Sequence, residues 1–102
     1  MTHGEVWWLE HPEIGRRPAC VLTRSNAVPV LQQVVVALAT TRIRGIDTEV
    51  ALDRSDGMPR DCVLTLDNLW TVPKTLLTEK ILTLSPTRAQ ELCRALRIAT
   101  AC

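Results

Sequence analysis

Val34-Val35-Val36-Ala37-Leu38 is a nearly continuous apolar run within the segment Val30 to Ala39. It has no polar face, so it reads as a central strand buried on both sides. Upstream, Pro18-Ala19-Cys20-Val21-Leu22-Thr23 gives a second strand, ending at the turn-prone Arg24-Ser25-Asn26. Gly4-Glu5-Val6-Trp7-Trp8-Leu9 gives a first, with Trp7 and Trp8 pointing to opposite faces, one toward the core and one under a loop or partner. Glu10-His11-Pro12-Glu13-Ile14-Gly15 reads as the loop between these two. Downstream, the polar connection Thr40-Thr41-Arg42-Ile43-Arg44-Gly45 leads to a strand at Thr48-Glu49-Val50-Ala51-Leu52. Asp53 to Arg60 is a turn-rich loop, Cys62-Val63-Leu64-Thr65-Leu66 a fifth strand, and Leu69-Trp70-Thr71-Val72 its continuation or a sixth. Pro73 to Glu79 is expected to form one helical turn before a short strand at Ile81-Leu82.

The last element is a helix. Ser85 caps it, Pro86 takes the first helical position, and Ala89, Leu92, Cys93, Leu96 and Ala99 recur at three- and four-residue spacing. Arg88, Glu91 and Arg94 are expected on its wet face. Many short strands followed by one amphipathic helix describe a mainly β fold, a strongly curved antiparallel sheet or β-barrel covered by a C-terminal helix.

A chain of 102 residues, 46% hydrophobic and 23% charged, fits a single domain over 1–102. There is no run of about 18 apolar residues to span a membrane. Nor does Met1-Thr2-His3-Gly4-Glu5 open a basic region followed by an apolar core, so a cytoplasmic protein without membrane contact is expected. Cys20, Cys62, Cys93 and Cys102 show no C-x-x-C spacing, and only His3 and His11 could join them. Neither a metal site nor any cofactor is expected. Cys20, Cys62 and Cys93 read as small core residues and Cys102 as an exposed thiol.

The net charge of +1 hides an asymmetry. Ile14 to Ile46 holds Arg16, Arg17, Arg24, Arg42 and Arg44 and no carboxylate, while the rest has seven basic and eleven acidic residues. Such a division suits a polyanion-facing surface. Hydrolase elbows and glycine-rich nucleotide loops are missing. An arginine-rich face with hydroxyls can handle a phosphodiester: the guanidinium fork bonds two phosphate oxygens and stays cationic, and threonine adds a neutral donor. RNA brings its own nucleophile, the 2′-hydroxyl, so a protein need only orient it, stabilise phosphorane charge and assist two proton transfers. The same inventory serves plain nucleic-acid binding.

Four stretches together resemble the MazF/PemK family, toxins of bacterial toxin–antitoxin pairs. They are Gly4-Glu5-Val6-Trp7, Gly15-Arg16-Arg17-Pro18-Ala19-Cys20-Val21-Leu22-Thr23-Arg24-Ser25-Asn26, Leu38 through Val50 with its Arg44-Gly45-Ile46-Asp47-Thr48-Glu49-Val50, and Met58-Pro59-Arg60-Asp61-Cys62-Val63. Asp67-Asn68-Leu69-Trp70-Thr71-Val72 and the helix after Leu84-Ser85-Pro86 also fit, so the likeness covers the whole chain. It implies an SH3-like barrel of the MazF/CcdB type and a homodimer. It also implies sequence-specific, metal-independent cleavage of single-stranded RNA by 2′-OH attack, leaving 2′,3′-cyclic phosphate and 5′-OH ends and so inhibiting translation and growth. The family's arginine before proline falls on Arg17 and its strand-end threonine on Thr40, the two expected catalytic residues. Typical members carry a longer first loop with an acidic residue; His11-Pro12-Glu13-Ile14-Gly15 stands here, which makes Glu13 and His11 the candidates for proton transfer. Arg16, Arg24, Asn26, Thr41, Arg42, Arg44 and Trp70 are the expected RNA contacts, Trp70 by stacking a base. A cognate antitoxin with an acidic C-terminal tail would match the arginines. The alternatives are a CcdB-like topoisomerase poison, which shares the barrel, and a catalytically inactive nucleic-acid-binding module.

Overall fold

The computed structural model describes residues 1–102 and contains six strands, a short 3₁₀ turn and one helix. The strands are β1 (Glu5–His11), β2 (Gly15–Val21), β3 (Gln33–Thr40), β4 (Glu49–Leu52), β5 (Cys62–Pro73) and β6 (Leu77–Thr83), followed by α1 (Pro86–Thr100). They form one antiparallel sheet in the order β4-β5-β3-β2-β1-β6, curled into a half-barrel with β4 and β6 at its edges.

β3 is the buried centre. Its alternation sends Ala37 and Ala39 to one apolar cluster and Val34, Val36 and Leu38 to another, and all five are almost fully enclosed. The first cluster lies under α1, which contributes Leu92 and Ala95, with Ala89, Leu96 and Ala99 at its margin. The second lies where the β1–β2 hairpin curls over the sheet, with Leu9, Ala19 and Val21 packed against Val34, Val36 and Val72.

Several expectations change in detail. Half of the expected loop Glu10 to Gly15 is strand: Glu10 and His11 pair with Arg16 and Gly15, continuing Leu9 opposite Arg17, and leave Pro12-Glu13-Ile14 as the turn. Gly15 makes that possible, because its φ of +76° closes a three-residue hairpin turn at no steric cost. Arg16 and Arg17 are therefore fixed on a strand. β5 runs unbroken through both segments read separately in the sequence. The expected helical turn after Pro73 shrinks to Lys74–Leu76, and the strand at Ile81-Leu82 extends over Leu77–Thr83. Trp7 and Trp8 are both half-buried, Trp7 against the second cluster and Trp8 beneath the Arg16 guanidinium at 4.3 Å.

Two helix assignments are corrected. Cys93 is exposed, because the contact stripe centres on the buried Leu92 and Ala95 and leaves position 93 outside it. Arg88 is not on the wet face. It is mostly enclosed, bonding Asp56 at 3.2 Å and Glu91 at 3.1 Å with Asp53 at 3.8 Å, and so ties α1 to the β4–β5 loop. Ser85 caps the helix as expected, accepting the Arg88 backbone N–H. Cys20 and Cys62 are buried; burial alone pushes the Cys20 thiol up to about 12, which makes it inert.

One buried acid holds the start of the sheet. Burial raises the pKa of Glu5, but bonds from the Trp7 indole (2.9 Å), the Thr2 hydroxyl (2.8 Å) and the Thr2 amide (3.1 Å), with Lys80 at 3.4 Å, outweigh it and pull the carboxyl down to about 2. Its folded-state value thus lies below the ordinary 4.5, so the carboxylate stabilises the fold above that pH and stops doing so as pH falls toward 2. Glu5→Gln should lose about 2 kcal/mol of stability at pH 7. In denaturant melts the gap to the wild type should close as the pH is lowered toward 2; a gap independent of pH would refute this role.

Candidate active site

Continuing the β2–β3 register beyond Ala19 opposite Leu38 sets Arg17 across from Thr40, where the buried strands end. The two are also joined through the backbone: Arg17 Nη2 donates to the Ala39 carbonyl at 3.0 Å. That bond uses one guanidinium donor and leaves the others unspent. Thr40 is half-buried, and its Oγ1 accepts the Arg42 amide at 3.1 Å, so its hydroxyl hydrogen is available to a ligand.

Two clefts open on either side of this pair, and Arg17 and Thr40 line both. The first, about 420 Å³, is bounded by Trp8, Arg16, Thr41 and the Met58-Pro59-Arg60 segment. The second, about 360 Å³, is bounded by Arg42, Arg44, Thr65, Asp67 and Asn68. Arg17, Arg42, Arg44 and Arg60 form no salt bridge, so their charge is directed at the clefts; Arg16 is partly engaged by Glu79 at 3.3 Å. Converging unpaired guanidiniums in concave surface concentrate positive potential and suit a phosphodiester.

The β3–β4 connection that carries Arg42 and Arg44 is shaped by Glu49. Its Oε1 accepts the backbone N–H groups of Gly45 (2.9 Å) and Arg44 (3.1 Å), which curl around the carboxylate because Gly45 adopts a φ of +72°. A backbone nest that would otherwise attract a free anion is thus filled from within the chain.

The other expected site residues are placed differently. Arg24 and Asn26 are exposed beyond the far end of β2 and line neither cleft. Glu13 is exposed at the hairpin tip, and its amide donates to His11 Nδ1 at 3.1 Å. The His11 ring meets Trp70 edge-on with centroids 5.1 Å apart, and Trp70 packs on the second core cluster; neither ring lines a cleft. Arg60, Thr65, Asp67 and Asn68 were not singled out from the sequence. Arg60 sits among Asp53, Asp56 and Asp61, whose charges hide it in any local count, and the loop that brings it in is held by its own turn bonds, the buried Met58 and the Arg88 bridge to Asp56.

A curled six-stranded sheet with a C-terminal helix and an arginine–threonine pair between two cationic clefts defines a small β protein built to meet a polyanion. Residues 2–100 match the family model described as PemK-like, MazF-like toxin of type II toxin-antitoxin system. The chain is 43% identical to the probable endoribonuclease MazF5 of Mycobacterium tuberculosis, covering 99% of this chain and 94% of that protein. It is 39% identical to that organism's probable endoribonuclease MazF2 over the full length of both. Among solved structures, the Mycobacterium tuberculosis toxin MazF-mt6 superposes with a TM-score of 0.88 at 31% identity, covering 95% of this chain and 96% of that one. A mycobacterial endoribonuclease in complex with its cognate antitoxin superposes with a TM-score of 0.89 at 25% identity, covering 99% and 95%. The chain belongs to the MazF/PemK family of toxins, and the alternative of a topoisomerase poison is set aside.

Proposed function

We propose that this chain is the endoribonuclease toxin of a type II toxin–antitoxin pair, acting in the cytoplasm on single-stranded RNA and so inhibiting translation and growth. The observation that supports it best is the pairing of Arg17 with Thr40 between the two clefts, each anchored through the backbone with donors to spare. In the proposed reaction the 2′-oxygen attacks phosphorus and displaces the 5′-oxygen of the next nucleotide. One proton leaves the 2′-hydroxyl and one joins the departing oxygen, giving a 2′,3′-cyclic phosphate and a 5′-hydroxyl. Arg17 and Thr40 hold the phosphoryl oxygens as charge builds on them, work for which a guanidinium suffices without a metal ion. Arg16, Thr41, Arg42 and Arg44 hold the flanking backbone.

Incubation of the protein with a long RNA in EDTA should yield discrete fragments bearing cyclic phosphates; intact RNA would overturn the assignment. Arg17→Ala should cut the cleavage rate at least about a hundredfold, about 3 kcal/mol, because it removes charge stabilisation made in the transition state. RNA binding should weaken less than about tenfold, since the other arginines still meet ground-state phosphates. Arg17→Lys should recover only part of the rate, and Thr40→Ala should cost on the order of tenfold. Equal losses of binding and rate in Arg17→Ala would reduce Arg17 to a binding residue.

Neither candidate for proton transfer lines a cleft: Glu13 stands exposed at the hairpin tip, and the His11 ring is engaged on Trp70, which argues against His11. The cleavage rate of His11→Ala should stay within about threefold of the wild type, with the shape of its pH–rate profile unchanged. A limb of the wild-type profile that disappears in His11→Ala would return the role to His11.

The toxin is proposed to act as a homodimer, with RNA along the subunit boundary, because one basic face of a small chain is short for several nucleotides. Val30, Leu31, Ile43 and Ile46 leave apolar side chains exposed that a partner could cover. A cognate antitoxin would lay an acidic, disordered C-terminal tail across the arginine clefts, anchored by a large apolar residue that offsets the ordering cost. Light scattering should give a dimer at micromolar concentration, and antitoxin affinity should fall with salt and with truncation of its tail. A monomer active on RNA, or an affinity insensitive to both changes, would contradict this arrangement.

A further inference from the structure

The β3–β5 ladder contains an irregularity beside the cleavage pair. Leu38 pairs with Thr65, but the preceding residue Ala37 pairs with Leu69, so Leu66, Asp67 and Asn68 oppose nothing on β3. Leu66 turns inward and is almost fully buried, its N–H donated to the Thr48 carbonyl at 3.0 Å. Asp67 and Asn68 are thrown outward, and both line the second cleft with Arg17 and Thr40. Bulges of this kind re-aim side chains next to functional sites.

Both side chains are held from behind. The buried Thr48 donates its hydroxyl to Asp67 Oδ2 at 2.5 Å, and the Trp70 indole donates to Asn68 Oδ1 at 3.0 Å. Asp67 Oδ1 and the Asn68 amide nitrogen make no hydrogen bond within the chain. What remains is an acceptor-only carboxylate next to a donor, in fixed orientation, a few residues from a cationic rim. A carboxylate at that position repels phosphate, so this part of the cleft suits an uncharged group rich in donors. The lining is polar apart from Ile46, which disfavours an apolar ligand.

We infer that the second cleft is a base pocket in which Asp67 and Asn68 read the Watson–Crick edge of a guanine flanking the cleaved bond. Guanine presents two adjacent donors, N1–H and the N2 amino group, to a carboxylate, with its O6 acceptor beside them for the Asn68 amide. Uracil offers a single donor, N3–H, flanked by carbonyl oxygens that would face Asp67, and adenine and cytosine offer one donor group instead of two. Single-stranded recognition of this sort works on unstacked bases through these edges. Thr48 and Trp70 are positioning residues, acting through Asp67 and Asn68.

The inference rests on the endoribonuclease reading, and the test separates the two. Wild-type protein is used to cleave a long RNA, and the new 5′ ends are sequenced to obtain the motif; then short strands carrying each base at each motif position are cut. A guanine should be required at one position within two nucleotides of the cut, favoured at least about tenfold over any other base. Inosine there, lacking the 2-amino group, should slow wild-type cleavage about tenfold. Asp67→Asn should lose the guanine preference at that position and keep the preferences elsewhere in the motif. Should that variant fail to fold, the inosine result with wild-type protein still decides. No cleavage of any RNA by the wild type would overturn the endoribonuclease reading itself. Cleavage at a motif without guanine, equal rates on inosine and guanine, or an unchanged preference in folded Asp67→Asn would overturn the base pocket alone.

Discussion

Strand β3 is apolar on both faces and hydrogen-bonded along both edges, and this double burial is the constraint from which the other elements follow. An apolar strand of that kind must be covered twice. The helix supplies one cover through Leu92 and Ala95, and the curling β1–β2 hairpin supplies the other through Leu9, Ala19 and Val21. The curl is thus a packing requirement. It lifts the hairpin over the sheet and brings Arg17, near the start of β2, to the place where β3 stops being buried. Thr40 is the first residue of β3 past its apolar stretch, so the reactive pair stands where the strand's cover ends.

The polar groups around that boundary are set by short-range bonds rather than by core packing. Arg17 is tied to the Ala39 carbonyl, Thr40 to the Arg42 amide, and the loop bearing Arg42 and Arg44 to Glu49. The loop bearing Arg60 is pinned through Asp56 to Arg88 on the helix. Each tie leaves the outward donors unspent. Preorganised donors of this kind stabilise developing charge without rearranging at the moment of reaction, which fits the cleavage proposed for this MazF-family toxin.

Much of the fold was legible because burial writes itself into alternation. The double-faced run of β3, the alternately buried Val50 and Leu52 of β4, and the Ser85-Pro86 start of the helix were all readable from residue order. The hairpin was not, because Glu10, His11 and Gly15 to Arg17 have the polar and glycine character of a loop; they hold strand geometry through pairing with each other. β6 was underestimated because Thr78, Glu79 and Lys80 face solvent on an edge strand, hiding the apolar residues around them. Helical spacing alone included Cys93 and put Arg88 in water; the direction of the contact stripe and three nearby carboxylates decide otherwise. In the site, Arg17 and Thr40 could be picked out through the family resemblance. Asp67 and Asn68 could not, since they look like a turn between two strands until the register with β3 turns them into a bulge.

The central claim is that the protein contributes positioning and charge, while the substrate's own 2′-hydroxyl is the nucleophile. The most direct measurement uses an RNA strand containing the cleaved motif with a single 2′-deoxynucleotide on the 5′ side of the cut. The account predicts no detectable cleavage of that strand, with affinity within about threefold of the all-ribose strand, because only the attacking group is lost. Cleavage of the deoxy-substituted strand at a rate comparable to the unmodified RNA would contradict it.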